Sequence, residues 1–259
     1  MNTSTSMRAA TGGVSALLIA IGFGAVNQAF AQPPADAGVT RLQVVTFRVK
    51  PDKIETFLAL EKREVVPALK KAGIKSRQVY RTVVGEANEF QVRTPVAGFE
   101  IYDEPGTLER ALGAEKAADL RDQLNACFKA VHVQFENRVN EFFVDPGNAP
   151  VQFASKYRPL PGKSFAYTQF YREYMNPVAK QAKADGTFAG MDYTVSRHGG
   201  EWGLITLNMY YDSFAPLDGE PPIAKTLGPE KTREMLAHGQ GLIDPIEWIV
   251  RRRVAELSF

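Results

Sequence analysis

The sequence predicts an α+β fold in which one β-α-β-β-α-β module occurs twice in tandem. Three observations carry that expectation. The chain repeats itself: Leu112-Gly113-Ala114-Glu115-Lys116 recurs as Leu227-Gly228-Pro229-Glu230-Lys231, a shift of 227 − 112 = 115 residues. At that shift Arg138-Val139 falls on Arg253-Val254 and Glu141 on Glu256. Upstream, Val49-Lys50-Pro51-Asp52-Lys53 aligns with Pro159-Leu160-Pro161-Gly162-Lys163, and Pro67 with Pro177, a shift of 177 − 67 = 110. Secondly, runs of period 2 and runs of helical spacing follow the same order in both copies. Thirdly, Asp145-Pro146-Gly147-Asn148-Ala149-Pro150 reads as a turn-rich joint between them.

The start of the chain is read apart from the fold. Arg8 gives a basic n-region, residues 14–25 are apolar, and Ala29-Phe30-Ala31 supplies the small-x-small pattern of a signal-peptide cut. The expectation is a signal peptide at 1–31, cleavage after Ala31, and a periplasmic or secreted protein without a stable membrane anchor. Residues 32–40 then form a flexible lead-in. Cleavage leaves 259 − 31 = 228 residues, enough for two small modules at 41–145 and 151–259 with the linker 146–150. Without Arg8 the basic count is 31 − 1 = 30 against 29 acidic residues. That balance gives no electrostatic footprint for nucleic acid. Cys127 is the single cysteine, so no internal disulfide can form, and it reads as a packed thiol.

Taken in order, residues 41–50 alternate, with Val45, Phe47 and Val49 on one face and Thr46 and Arg48 on the other. Pro51-Asp52 ends that strand, and Ile54, Phe57, Leu58, Val65, Ala68 and Leu69 follow at helical spacing up to Gly73. Pro67 removes a ladder donor and predicts a kink. Glu61, Arg63 and Glu64 read as a solvated face. Residues 77–84 and 90–102 form a hairpin, 107–131 a long helix, and 138–144 the closing strand. The second copy runs through a weak strand at 151–158 and a helix at 163–184 with an aromatic stripe of Tyr167, Phe170, Tyr171 and Tyr174. A hairpin of 191–197 and 202–212, a helix at 229–243 and a strand at 249–259 complete it. Around Asp244-Pro245 the pattern leaves helix and strand both open. Arg251-Arg252-Arg253 reads as an exposed strand end.

Two such units match a tandem ferredoxin-like arrangement. The Val49-Lys50-Pro51-Asp52-Lys53 turn, the Val65-Val66-Pro67-Ala68-Leu69 segment and the Leu-Gly-x-Glu-Lys helix entries resemble the dimeric α/β-barrel superfamily, particularly its NIPSNAP-like members. The resemblance covers 41–259. It implies two antiparallel sheets facing each other to form an α/β barrel within one chain. That superfamily includes cofactor-free oxygenases, isomerases, haem-binding enzymes and members without known activity, so fold alone selects no reaction.

Alternation also assigns sheet faces. Ile205, Leu207, Met209 and Tyr211 go to the helices, leaving Thr206, Asn208 and Tyr210 for the lumen; Asp192, Thr194, Ser196 and His198 join them from the paired strand. The first module adds Thr46, Arg48, Gln78, Tyr80, Thr82, Gln91 and Arg93. The candidate ligand-binding set is Arg48, Tyr80, Arg93, Asp192, His198, Asn208 and Tyr210. It points to a small organic molecule held in the lumen, or to a barrel interior whose side chains bond one another. Asp192, Ser196 and His198 lie along one strand and do not converge as a triad. No histidine pair has metal-ligand spacing, so no metal is expected. No cofactor is expected; if haem were bound, His132 and His238, placed on or near the second helices, are the axial candidates, and a surface or satisfied histidine is the plainer reading of each. The alternatives to a binding protein are an enzyme, cofactor-free or haem-dependent, and a non-catalytic assembly protein that could form homo-oligomers.

Overall fold

A computed structural model describes residues 38–259 of the chain. The signal segment expected at 1–31 and the start of the lead-in lie outside the described residues. Among the described residues, no helix is long and apolar enough to cross a membrane.

The first module contains β1 (Val39–Val49), α1 (Ile54–Leu60), α2 (Val66–Lys71), β2 (Gln78–Val84), β3 (Glu89–Pro95), α3 (Thr107–Leu112), α4 (Ala114–Cys127) and β4 (Phe128–Val139). The second contains β5 (Val151–Pro159), α5 (Ser164–Phe170), α6 (Asn176–Ala184), β6 (Gly190–His198), β7 (Ile205–Tyr211), α7 (Pro222–Leu227), α8 (Pro229–Gly239) and β8 (Ile243–Arg253). The eight strands close one barrel in the order β1-β3-β2-β8-β5-β7-β6-β4. Every neighbouring pair is antiparallel, so β1, β2, β5 and β6 run one way and the other four return. Both hairpins therefore emerge at the same end, and the two modules are related by a pseudo-two-fold along the barrel axis. This is the dimeric α/β barrel drawn with a single chain.

The predicted kink is a wide turn, and it occurs in both modules. Glu61–Val65 and Tyr171–Met175 are π-helical, with Val66 N–H donating to Glu61 O and Asn176 N–H to Tyr171 O. Pro67 and Pro177 follow directly; each ring would clash with the carbonyl four residues back, and the extra residue in the turn relieves that clash. The wide turn also corrects the solvated-face reading of Glu61. Its carboxylate is buried and lies 2.8 Å from the buried Arg77 guanidinium, at an angle short of a hydrogen bond. At the matching position, Tyr171 donates to Met191 Sδ at 2.8 Å.

Three boundaries differ from the sequence expectation. The long helix expected at 107–131 is two helices that stop at Cys127, and β4 begins at Phe128. Phe128, Val131, Val133 and Phe135 alternate with smaller or polar residues, and cross-strand pairing to β1 overrides the helical spacing that 124, 127, 128 and 131 also satisfy. β3 ends at Pro95, with Phe99–Tyr102 a separate 3₁₀ turn. Around Asp244 the outcome is strand, since β8 pairs with β5 from Ile243 onward.

The helices cover the outside of the barrel, and each module has its own apolar core there. In the first, Phe47 stacks on Phe128 at 4.7 Å and Phe57 meets Phe90 edge-on at 5.0 Å. In the second, Tyr167, Phe170 and Tyr171 are buried, which places most of the aromatic stripe in the packing; Tyr174 remains partly exposed against His238. The tails after β4 and β8 are exchanged. Phe142, just beyond β4, is fully buried in the second core, and Leu257, its equivalent at 257 − 142 = 115, is fully buried in the first. Lys62–Glu256 and Arg172–Glu141 ion pairs repeat the exchange at the surface. Each fully buried side chain of this kind contributes about 1.5–3 kcal/mol.

Candidate functional site

The face assignment from alternation matches the barrel wall: Val45, Phe47, Val79, Val92, Met191, Tyr193, Ile205 and Leu207 pack under the helices. Their neighbours point inward, and at mid-barrel they bind one another. Arg93 on β3 meets Asp192 on β6 through two contacts, Nη1 to Oδ2 at 2.7 Å and Nη2 to Oδ1 at 3.2 Å. Asn208 Nδ2 donates to the same carboxylate at 2.6 Å, and the Tyr210 hydroxyl donates to it at 2.9 Å. Tyr210 in turn accepts from Arg93 at 2.7 Å and from Gln152 Nε2 at 3.4 Å. Tyr80 packs beside Tyr210 with ring centroids 6.2 Å apart. Glu136 on β4 approaches Arg93 at 3.8 Å and accepts from Gln134.

Electrostatics follow from this closure. Burial alone would raise the Asp192 carboxyl, but the Arg93 charge and the bonds from Arg93, Asn208 and Tyr210 outweigh it and hold the carboxyl below the ordinary aspartate value. Burial lowers the Arg93 guanidinium in the same way, and Asp192 reverses the sign, so it stays well above its usual value. Tyr80 is pushed up to about 12 by burial, and Tyr210 well above its usual value for the same reason. At neutral pH the middle of the lumen is a charged aspartate, a charged arginine and two neutral phenols.

Above this floor, at the hairpin end, a cavity of about 480 Å³ opens. Thr46, Arg48, Gln91, His132, Gln134 and Arg251 line most of it, with Glu89, Lys156 and Gly200-Glu201 of the β6–β7 turn at its edge. That turn closes down on β4, and it must be glycine there. A Cβ on Gly199, at φ +77°, would lie 2.2 Å from the Val133 carbonyl oxygen.

Of the seven residues proposed from sequence, the structure brings Tyr80, Arg93, Asp192, Asn208 and Tyr210 into one cluster. Arg48 lines the cavity and pairs with Glu86 at 3.4 Å. His198 leaves the lumen. A β-bulge lets it pair with Phe135 while Ser196 pairs with Glu136, and its ring meets Phe99 edge-on at 4.9 Å. Arg251, read as part of an exposed strand end, is only 2% exposed and reaches inward to Gln152 and Glu89. His132, Gln134 and Glu136 escape the sequence reading because they lie between the helix expected up to 131 and the strand expected from 138, so no sheet face is assigned to them.

The haem expectation finds no matching slot. His132 stands on β4 opposite Thr46, among polar side chains, and His238 stacks on Tyr174 at 5.2 Å on the outside of the second module. Neither imidazole adjoins an apolar gap suited to a porphyrin plane. Among the described residues, no group of three His, Cys, Asp or Glu is placed to hold a metal ion.

No protein-family model matches the chain, and no curated protein matches its sequence. Solved structures do. A candidate monooxygenase from Lactobacillus acidophilus NCFM aligns at 9% identity over 83% of this chain and 93% of its own, with TM-score 0.56. An anthrone oxidase-like protein aligns at 10% identity over 85% and 93%, with TM-score 0.52. A NIPSNAP family protein from Agrobacterium tumefaciens aligns over 37% of this chain and 90% of its own, with TM-score 0.33. At such identities the likeness to the first two establishes the fold alone: a dimeric α/β barrel, here closed within one chain.

Proposed function

We propose that this chain is an exported binding protein for a small polar organic molecule, held at the hairpin end of the barrel. The observation that supports it is the cavity of about 480 Å³ lined by polar side chains. Its size falls in the range of small-molecule sites, roughly 300–1,000 Å³. Arg93, Asp192, Asn208 and Tyr210 do not line the cavity; they form the next layer along the barrel and satisfy one another without a ligand, so binding need not order that layer. The same closure favours binding over catalysis. Asp192 and Tyr210, two groups that alternation offers for proton transfer, spend their hydrogen bonds on each other and on Arg93 and lie outside the cavity lining.

The test is a thermal-shift screen of mature protein against small polar organic compounds, run beside Ala130→Trp. Ala130 faces the cavity from β4 and makes no polar contact there, so tryptophan fills the space without removing a partner. Compounds that raise the melting temperature of the parent and not of the variant support the reading. A screen without such compounds, or with equal shifts in both proteins, overturns it. Export is tested separately by the intact mass of protein recovered outside the cytoplasm, expected to begin at Gln32.

A further inference from the structure

We propose that the molecule held in this cavity carries a carboxylate, and that Arg251 is the residue that reads it. This rests on the cavity being a binding site and adds the chemical class of its occupant. Two arginines are buried inside the barrel, Arg93 and Arg251, and they differ in their partners. Arg93 is saturated by Asp192 and Tyr210 at contacts down to 2.7 Å. Arg251 is equally buried, yet its only contacts among the described residues are Nη1 to Gln152 Oε1 at 3.3 Å and Nη2 to Glu89 Oε1 at 3.2 Å. Its Nε has no partner. A guanidinium offers five N–H groups in a planar fork, and burying it with that fork unfilled is costly.

The remaining charges of the cavity do not complete the fork. Glu89 Oε1 is shared with the Thr82 hydroxyl. Glu201 is held by Arg158, Lys156 by Glu247 and Arg48 by Glu86. Each rim charge has an opposite partner of its own and is open to water, whereas the buried Arg251 beneath them has Glu89 alone, at an oxygen that Thr82 shares. Burial accordingly pulls its guanidinium below the usual arginine value, and Glu89 restores only part. The repeat explains how this arose. Arg251 stands where the first module has Glu136, at 251 − 136 = 115, and Glu136 is the residue that leans on Arg93. The second module's counterpart of Arg93 is Asn208, at 208 − 93 = 115, so the repeat sets no acid at the position that Arg93 would pair with, and among the described residues Glu89 is the one acid in contact with Arg251. A carboxylate entering from the hairpin end would fill the fork, with Gln91, Gln134 and the Thr46 hydroxyl available to the rest of the molecule.

Matched acids and amides test this by titration calorimetry at low salt: benzoate with benzamide, propionate with propionamide and succinate with succinamide. The expected result is that at least one acid binds about tenfold or more tightly than its amide, a preference that Arg251→Gln removes and Arg251→Lys keeps in part. Should Arg251→Gln fail to fold, Arg251→Lys and Arg48→Gln decide: a preference weakened in Arg251→Lys and kept in Arg48→Gln supports the proposal, and one unchanged in Arg251→Lys or lost in Arg48→Gln overturns it. Equal binding of acid and amide, blocked by Ala130→Trp, overturns the carboxylate assignment and leaves the cavity standing. No binding by either series overturns both.

Discussion

The two modules share a backbone and differ in what their inward faces carry. Some equivalent positions kept their chemistry: Arg48–Glu86 is repeated as Arg158–Glu201, one bridge on each side of the rim. Others changed. Thr46 opposite His132 in the first module corresponds to Lys156 opposite Glu247 in the second, where the pair closes at 2.8 Å. Arg93 corresponds to Asn208, and Glu136 to Arg251. The pseudo-two-fold runs along the lumen, so equivalent side chains face each other across it. In a barrel made of two identical chains, an arginine at position 93 would face its own copy. Joining the modules in one chain removes that restraint, and the centre became a mixed network with opposite charges in contact. At the rim the Arg48–Glu86 and Arg158–Glu201 bridges kept the symmetry, and the Thr46–His132 register lost it.

The largest effects are expected where the modules differ most. Asp192→Ala or Arg93→Ala leaves a buried charge without its partner and should lower stability by about 3–5 kcal/mol in urea denaturation. Replacing both at once, Arg93→Met with Asp192→Leu, should recover much of that loss. A single substitution costing under about 1 kcal/mol would mean that water reaches the pair and that the centre is not closed.

Acid titration reads the same centre. The folded Asp192 pKa is depressed, so its contribution is complete above the unfolded aspartate value and is lost as pH falls through the lower folded value. Urea midpoints of the parent should therefore drop between about pH 5 and pH 2 more steeply than those of Asp192→Asn, which has no carboxylate to lose. Parallel curves would detach the aspartate from stability.

How much of this could be read in advance follows from the distances involved. Strand faces were legible wherever alternation was local: Tyr80, Arg93, Asp192, Asn208 and Tyr210 were all placed inside. The Arg93–Asp192 pair was not legible, since it joins residues 99 apart that meet only once the barrel closes. β4 was hidden because α4 runs straight into it with no glycine or proline between, and Phe128 and Val131 fit either period. His198 was misplaced because a bulge adds one residue and reverses the face beyond it, leaving no mark in composition. Arg251 reads as surface because three consecutive arginines suggest solvent, whereas in a strand the first and third of such a run face opposite to the middle one, and here only Arg252 is exposed.

What the modules have in common can be broken too. Phe142→Ala should cost about 3–5 kcal/mol and Leu257→Ala about 2–5 kcal/mol, each removing a fully buried side chain from the other module's core. Because the tails are exchanged, either variant should still unfold in one transition by circular dichroism. Two resolved transitions in Leu257→Ala would show that the modules are thermodynamically separate.

The smallest stability change, and the sharpest use of the comparison, comes from copying one module's rim into the other. Thr46→Lys with His132→Glu places the second module's cross-strand pair at the matching register of β1 and β4. Lys156 and Glu247 are partly exposed, a setting in which an ion pair contributes about 0–1 kcal/mol, so the melting temperature should hardly move. The cavity should change far more, because a lysine and a glutamate take the place of a threonine and a histidine in its wall. Ligands found with the parent should then weaken by about tenfold or more in the double variant, a loss of about 1.4 kcal/mol, while the denaturation midpoint stays level. Retained binding would place the ligand elsewhere on the barrel, and the Thr46–His132 side of the rim would be a neutral difference between the copies.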